Sequence, residues 1–234
     1  MVIARQIMSD VARRGLKPGD FLPAERTMVE TYGVGRSTLR EALRLLEFQG
    51  VISLKPGPGG GPILQDPSGA DLASTMVLLL QMKQAPFRTI LEVRSAVEPV
   101  ISRLAAERMS DEALDRLAES LSSMRRNLDD RTMFLEDNKQ FHDIIAWSSG
   151  NALFGYLVDS MIGIMHGTSI GIDYPKYRRE AIVVAHQEIL DSLRARDPIV
   201  AEERMRDHIA AYVTYNEKKY RDVMDLIIRW DRPS

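Results

Sequence analysis

Histidines are the side chains best suited to chemistry in this sequence, which contains four of them and no cysteine. His142, His186 and His208 each lie in a stretch with the apolar periodicity of a helix, and Asn138 precedes His142 by four positions, so these two share one helix face. Helical bundles build metal sites from side chains on facing helices. Isolated histidines on partly apolar faces are more often core or surface residues, so their spacing alone leaves a metal site and a structural role both open.

A row of arginines near the N-terminus is the second candidate site. Arg36, Arg40 and Arg44 are spaced four residues apart, which places their guanidinium groups along one flank of a helix with Ser37 close by. Arginine presents a planar fork that stays charged, and this suits phosphates and guanine edges. A solvated charged flank would have the same spacing, so the neighbouring segments must decide between the two interpretations.

The segments around these arginines predict a helix-turn-helix. Apolar residues in the stretch 33–47 recur at the spacing of one buried helix face, namely Leu39, Ala42, Leu43 and Leu46. A shorter helix over 24–32 precedes this stretch and ends at Gly33, which can adopt the left-handed conformation of a tight corner. Two helices joined by a glycine-containing turn form a helix-turn-helix.

A glycine-tipped hairpin follows the second helix. Residues 51–54 and 63–64 have the composition of short strands, and the segment 55–62 between them is rich in glycine and proline. A glycine tip lets the backbone approach a surface closely, and Lys55 at its base adds a charge that can meet phosphate. This hairpin is the predicted wing of the helix-turn-helix.

Residues 15–64 resemble the winged helix-turn-helix of the GntR family of transcriptional regulators. The resemblance is carried by GLKPGDFLPAER at 15–26, GVGR at 33–36, LREAL at 39–43 and the glycine-rich hairpin. It implies that Arg26, Arg36 and Arg40 contact operator DNA and that the wing tip around Gly57 enters the minor groove.

One position departs from the GntR pattern. Family members usually carry serine or threonine where this chain has Gly35, and that residue caps the recognition helix and can bond phosphate. Glycine is a tolerated N-cap but has no hydroxyl group. The resemblance therefore implies one phosphate contact fewer, unless Ser37 replaces it.

Charge and composition predict two parts with different partners. The chain has a net charge of −2, but residues 1–64 carry nine Lys/Arg and six Asp/Glu, whereas the remainder is net negative. The basic part is the part with the helix-turn-helix, which supports double-stranded DNA as its partner. One module of this charge should bind weakly, so we expect a homodimer that reads an inverted-repeat operator.

Several other classes of protein are disfavoured by the sequence. No apolar run approaches the roughly 20 residues of a membrane span, and the first residues form an amphipathic helix rather than a signal peptide. The absence of cysteine excludes disulfides and thiolate metal sites. We therefore expect a cytoplasmic protein with no membrane partner.

A boundary at residues 65–70 separates a DNA-binding domain at 1–65 from an all-helical domain at 71–230. Caps and breakers in the second part delimit helices at 71–84, 87–109, 111–128, 131–149, 151–171, 175–195 and 198–229. The predicted fold class is mainly α, with a winged helix-turn-helix followed by an antiparallel helical bundle.

Residues 71–225 resemble the FCD effector domain of the FadR-type branch of the same family. The matching segments are LEVR at 91–94, LAA at 104–106, NKQFH at 138–142, GN at 150–151 and the two later histidines. The resemblance implies a divalent metal held by Asn138, His142, His186 and His208, with open positions for a carboxylate effector. Three histidines and one oxygen suit zinc best, with nickel or manganese as alternatives.

Two details of this domain remain open from the sequence. Asn138 replaces the commoner aspartate, and the adjacent Asp137 is turned about 100° away on a helix, so it is a poor substitute. Arg94 lies on an otherwise apolar helix, where it either pairs with Glu98 or, as the resemblance implies, binds the effector carboxylate. His166 matches no ligand position and is interpreted as a pocket or surface residue.

These features predict a transcription factor, not an enzyme, whose affinity for DNA is modulated by a small organic acid bound at a metal site. Two alternatives remain. A metal-dependent hydrolase could use three histidines to activate water, although the sequence has no HExxH motif and no evident paired base. A constitutive DNA-binding dimer would use the bundle only for dimerisation.

Overall fold

The computed structural model describes residues 1–57, 59–168 and 172–229, except for the side chains of residues 166–168. These ranges contain eleven α-helices and a two-stranded antiparallel sheet. The chain divides into two compact units, Met1–Asp71 and Leu72–Ser234. The predicted fold class, a small wing in a mainly helical chain, is confirmed. No helix in the described ranges has the length and apolar character needed to cross a membrane.

The N-terminal unit contains three helices and the two strands. Its elements are α1 (Val2–Arg14), α2 (Glu25–Tyr32), α3 (Arg36–Phe48), β1 (Ile52–Lys55) and β2 (Gly61–Leu64). The predicted apolar face of α3 is fully buried and packs with Ile7 of α1 and Met28 of α2 in one core. Gly33 ends α2 in the predicted left-handed conformation, with φ of 62°.

Backbone pairing holds the wing against the rest of the N-terminal unit. Strands β1 and β2 pair in register from Ile52 opposite Leu64 to Lys55 opposite Gly61, and Phe21 forms a further antiparallel bridge with Ile63. A side chain at Gly60 would place its Cβ 2.2 Å from the Lys55 carbonyl oxygen, so this turn requires glycine there.

The C-terminal unit is a bundle of helices with one apolar core. The helices are α4 (Gly69–Met82), α5 (Arg88–Arg108), α6 (Asp111–Arg126), α7 (Arg131–Ser148), α8 (Ala152–Thr168), α9 (Lys176–Arg194), α10 (Pro198–Lys219) and α11 (Arg221–Met224). The side chains of Ser110, Asp130 and Asp197 accept hydrogen bonds at the N-termini of α6, α7 and α10, as expected for N-caps.

The prediction of one continuous helix over 198–229 is wrong. Helix α10 ends at Lys219, because Tyr220 leaves the helical conformation (φ −130°, ψ 40°) and only the short α11 follows. The chain then returns to the segment before α5, where Ile227 forms a bridge with Pro86 and the amide of Phe87 donates to the Leu226 carbonyl. Backbone pairing with another segment thus replaces helical hydrogen bonds after residue 224.

Candidate metal centre and DNA-binding surface

Three buried histidines converge in the interior of the C-terminal unit. His142 on α7, His186 on α9 and His208 on α10 can each offer a ring nitrogen, and these three atoms lie within 4.8 Å of one another. The Nε2 atoms of His186 and His208 are 3.3 Å apart. Two nitrogens held at zinc–nitrogen distances of about 2.0–2.1 Å in tetrahedral geometry are also about 3.3 Å apart. The two imidazoles therefore already have the separation of ligands to one ion.

Burial keeps two of these rings in the form that binds metals. Loss of solvation lowers the pKa of His186 well below its ordinary value, and the neighbouring His208 lowers it further. Burial likewise lowers the pKa of His208, and charge on His142 and Arg94 adds to this effect. Metal binding requires the neutral imidazole with a free lone pair, so both rings are in the required state near neutral pH.

A carboxylate fixes the orientation of the third histidine. Nδ1 of His142 lies 2.7 Å from Oε2 of Glu98, which is buried on α5. An ionised carboxylate only accepts hydrogen bonds, so Nδ1 is the donor, and in a neutral ring the lone pair is then on Nε2. Metal-ligating histidines commonly donate their second nitrogen to a carboxylate in this way.

Glu98 is in turn paired with Arg94, one turn earlier on α5. The Arg94 Nε donates to Oε1 of Glu98, and both side chains are almost fully buried. Burial by itself would raise the pKa of Glu98. The neighbouring Arg94 and His142 outweigh burial and hold the pKa of Glu98 below its ordinary value. Burial by itself would lower the pKa of Arg94, but Glu98 outweighs burial and raises the pKa of Arg94. Both partners therefore remain ionised, and Arg94 is occupied by Glu98.

Two of the three histidines, His142 and His208, form part of the wall of a cavity. The polar lining of the cavity consists of Arg94, Asn138, His142, Tyr174, His208 and Tyr212. Apolar side chains such as Phe134 and Met165 complete the wall. A mostly apolar cavity with a few converging polar groups is typical of a small-molecule site.

The other residues considered for this site are placed differently. Asn138 is half-buried and lines the cavity together with His142, one helical turn away. The carboxylate of Asp137 accepts a hydrogen bond from Asn127 at 2.9 Å, so it is engaged elsewhere. The side chain of His166 lies outside the described residues.

Three contacts at the site had no clear signal in the sequence. The Glu98–His142 pair joins residues 44 positions apart. Nδ1 of His186 approaches Met124 Sδ at 3.3 Å, and its ring stacks on Phe141 with centroids 4.0 Å apart. The spacing of Arg94 and Glu98 indicated their pair as one of two alternatives, but only the packing of α5 against α7 brings Glu98 to a histidine.

The N-terminal unit exposes every side chain predicted to meet DNA. Arg36, Ser37, Arg40 and Arg44 lie on α3, Arg26 lies on α2, and Lys55 and Gly57 lie on the wing, all exposed to solvent. The arginine row follows the flank next to the buried face of α3. A cationic row on the second helix of a helix-turn-helix is positioned for a major groove.

Two of these arginines have acidic neighbours. Arg40 Nε lies 3.1 Å from Glu25, and Arg26 Nε lies 3.4 Å from Glu30. Both pairs are exposed and therefore weak. Gly35 occupies the N-cap of α3, which has no side-chain cap hydrogen bond.

Two protein-family models match the chain. The model described as "Bacterial regulatory proteins, gntR family" matches residues 2–60, and the model described as "FCD domain" matches residues 89–211. The first match spans α1 to α3 and most of the wing, and the second spans all three histidines.

Known proteins resemble the chain over most of its length. The uncharacterized HTH-type transcriptional regulator YcbG of Bacillus subtilis is 34% identical over 194 residues, which cover 83% of this chain and 79% of YcbG. The HTH-type transcriptional repressor NanR of Cronobacter sakazakii is 26% identical over 93% of this chain and 86% of NanR. The solved structure described as "Streptococcus agalactiae GntR" has a TM-score of 0.70 at 24% identity, covering 90% of this chain and 97% of that one, and shares the fold.

A winged helix-turn-helix with an exposed arginine row, in a chain with such relatives, defines a DNA-binding transcriptional regulator. The helical unit narrows this class further, because its histidine cluster lies within the segment that matches the FCD model. The chain belongs to the GntR family of bacterial regulators, with an FCD domain as its C-terminal part.

Proposed function

We propose that the chain is a homodimeric, effector-responsive regulator that binds an inverted-repeat operator and changes its affinity for DNA when a small carboxylate binds in the helical unit. The observation that carries the proposal is the buried cluster of His142, His186 and His208, in a chain that also has a DNA-binding unit; His142 and His208 of this cluster line a cavity. An effector acts only through different affinities for two states of the protein, so carboxylate binding must favour one of them.

The donor set supports a divalent metal. His142, His186 and His208 would each supply a nitrogen and Asn138 a carbonyl oxygen, a combination that suits zinc and similar borderline ions. The bound ion would act as a Lewis acid that holds an oxygen of the effector. None of these four side chains is anionic, so a carboxylate effector would supply the first negative charge bound directly to the ion.

The occupation of the nearby acidic groups supports regulation over hydrolysis. Glu98 is held by Arg94 and His142, and Asp137 is held by Asn127. A hydrolytic water needs a general base within hydrogen-bond reach. Neither Glu98 nor Asp137 is free for this role.

Exposed apolar residues on the helical unit support a homodimer. On α4, Leu79 is 56% and Met82 is 75% exposed, and their spacing of three positions makes them neighbours on one face of the helix. Neighbouring exposed apolar residues are typical of surfaces that contact another protein. A symmetric pair of DNA-binding units would also bring the affinity that one unit lacks.

The test combines metal analysis with DNA binding. The purified full-length chain is first titrated with fluorescent fragments of the promoters next to its own gene, at low and moderate salt. The same titration is repeated with zinc and a panel of small mono-, di- and hydroxycarboxylates. We expect one metal per chain and a carboxylate that changes DNA affinity, with both effects lost in His208→Ala and retained in the control Glu203→Ala, an exposed change on the same helix.

The possible failures are distinct. Absence of DNA binding at low salt would refute the proposal as a whole. Binding to DNA with no bound metal and no response to any carboxylate would instead favour a constitutive DNA-binding dimer. Turnover of simple esters or lactones that is lost in His142→Ala would favour the hydrolase.

A further inference from the structure

A second cavity lies beside the histidine cavity, between α9 and α10. Ile182, His208 and Tyr212 line both cavities and form the partition between them. The remaining lining of the second cavity is one arginine, Arg178, and three alanines, Ala181, Ala185 and Ala211. The small side chains leave space next to the arginine.

Arg178 has hydrogen-bonding capacity that the described part of the chain does not use. Its Nε is buried and has no hydrogen-bond partner there. One terminal nitrogen reaches only the Ala211 carbonyl oxygen, at 3.5 Å. The guanidinium lies over the Tyr215 ring, 4.1 Å from its centroid. Stacking on an aromatic face fixes the plane of an arginine and leaves its donor edge for a planar anion.

Arg94 has the opposite arrangement. Its Nε is taken by Glu98, and one terminal nitrogen lies 3.2 Å from Met165 Sδ. A forked contact with a carboxylate through the Nε edge of Arg94 would require it to leave a buried ion pair, and breaking such a pair is strongly unfavourable. Arg178 has no ion-pair partner within the described residues and incurs no such cost.

We propose that Arg178 binds a second carboxylate of the effector, which makes the effector a dicarboxylate. The inference rests on the proposed function, in which the first carboxylate binds at the histidines. The ligand would extend past the edge of Tyr212 and place its second acid group against the Nε and terminal nitrogen of Arg178. Such paired, charge-assisted contacts give both affinity and geometric selectivity.

Calorimetry of the full-length, zinc-loaded protein tests this inference. The probes are two monocarboxylates, acetate and butyrate, and three dicarboxylates, succinate, malate and glutarate. We expect the unaltered protein to bind at least one dicarboxylate about tenfold or more tightly than the monocarboxylates, because a hydrogen-bonded charge pair contributes on this scale. R178Q should abolish that preference and leave monocarboxylate affinity unchanged.

Three further variants separate a binding role from a structural one. R178K keeps the charge but loses the fork, so it should retain only part of the preference. R204Q removes an equivalent charge from α10, where Arg204 makes only a distant exposed pair with Glu188 at 3.7 Å, and should change nothing. Ala185→Leu fills the second cavity without altering Arg178 and should also reduce dicarboxylate binding.

The possible results distinguish failure of this inference from failure of the proposed function. Carboxylate binding that shows no preference for two acid groups, or a preference that survives both R178Q and Ala185→Leu, would refute the role of Arg178 and leave the proposed effector site intact. Failure of the unaltered, zinc-loaded protein to bind any of the five probes would remove the effector site and this inference together.

Discussion

Nδ1 of His142 on α7 lies 2.7 Å from Oε2 of Glu98 on α5. The contact links the histidine cluster to the buried Arg94–Glu98 pair, so one carboxylate serves two neighbours at once. The orientation of His142 therefore depends on Glu98, whose two carboxylate oxygens are both engaged, one by Arg94 and the other by His142.

Replacing Glu98 by glutamine should weaken metal binding. An amide oxygen accepts a hydrogen bond less strongly than a carboxylate, so the His142 ring is held less firmly and is less basic. Loss of such a partner typically lowers metal affinity about 10–100-fold. Competition with a zinc chelator measures the change in the full-length protein.

The control for this experiment is Glu92→Gln, an exposed change on the same helix. Because Glu98→Gln also removes the partner of buried Arg94, the variant must be shown to be folded by circular dichroism. Zinc affinity equal to that of the unaltered protein would show that Glu98 has no part in the metal site.

The metal-free protein should lose stability as the pH falls. The pKa values of His186 and His208 are lowered in the folded state, mainly by burial. Below the unfolded value of about 6.5 the unfolded chain binds more protons than the folded chain, so the free energy of unfolding decreases. Urea midpoints of EDTA-treated protein between about pH 8 and about pH 5 would record this decline.

A comparison variant isolates the contribution of these rings. His186→Gln cannot be protonated in this range, so its urea midpoint should depend less steeply on pH than that of the unaltered protein. Identical slopes for the two proteins would mean that the buried histidines do not cause the decline.

Substitutions on the DNA-binding surface should separate base contacts from phosphate contacts. Arg40→Ala or Arg36→Ala should cost about 1–3 kcal/mol of binding to a specific operator and relax sequence preference. Lys55→Ala should weaken binding to all sequences and flatten the dependence on salt. Anisotropy titrations on operator and random DNA compare these losses, and equal losses on both DNAs for Arg40→Ala would contradict base readout.

Gly35→Ser should be tolerated and should improve the helix cap. The position has φ of −69° and ψ of 156°, which serine adopts readily, and an added Cβ would lie 4.0 Å from its nearest neighbour, Ser37 Oγ. Serine at an N-cap exceeds glycine by about 0.3 kcal/mol. Urea unfolding should show this gain, and operator binding should tighten through a new phosphate contact. A destabilised variant would mean that the cap geometry of α3 is not as described.

The sequence predicts local features of this chain better than distant ones. The turn at Gly33 and the buried face of α3 follow from the residues themselves, because conformational preference and periodicity act within one or two turns. The end of α10 could not be predicted in this way, since the helical pattern continues beyond Lys219 and the pairing of Ile227 with Pro86 depends on a segment far away in sequence.

The same limit applies to the candidate site. The three histidines could be singled out by their placement on helices, but their distances depend on how α7, α9 and α10 pack. The spacing of Arg94 left two roles open, pairing with Glu98 or binding the effector. The structure shows the buried pair with Glu98. Arg178 belonged to a charged stretch with no distinguishing pattern, and only the adjacent cavity makes it notable.

The bridge between Pro86 and Ile227 gives the end of the chain a role beyond its own stability. The amide of Ile228 donates to the Ala85 carbonyl, and the amide of Phe87 donates to the Leu226 carbonyl. Residues 226–228 are therefore hydrogen-bonded to the backbone immediately before α5. Deleting the residues after Lys219 would leave the first turn of the helix that carries Arg94 and Glu98 unanchored, so we expect a C-terminal truncation to weaken binding at the proposed effector site.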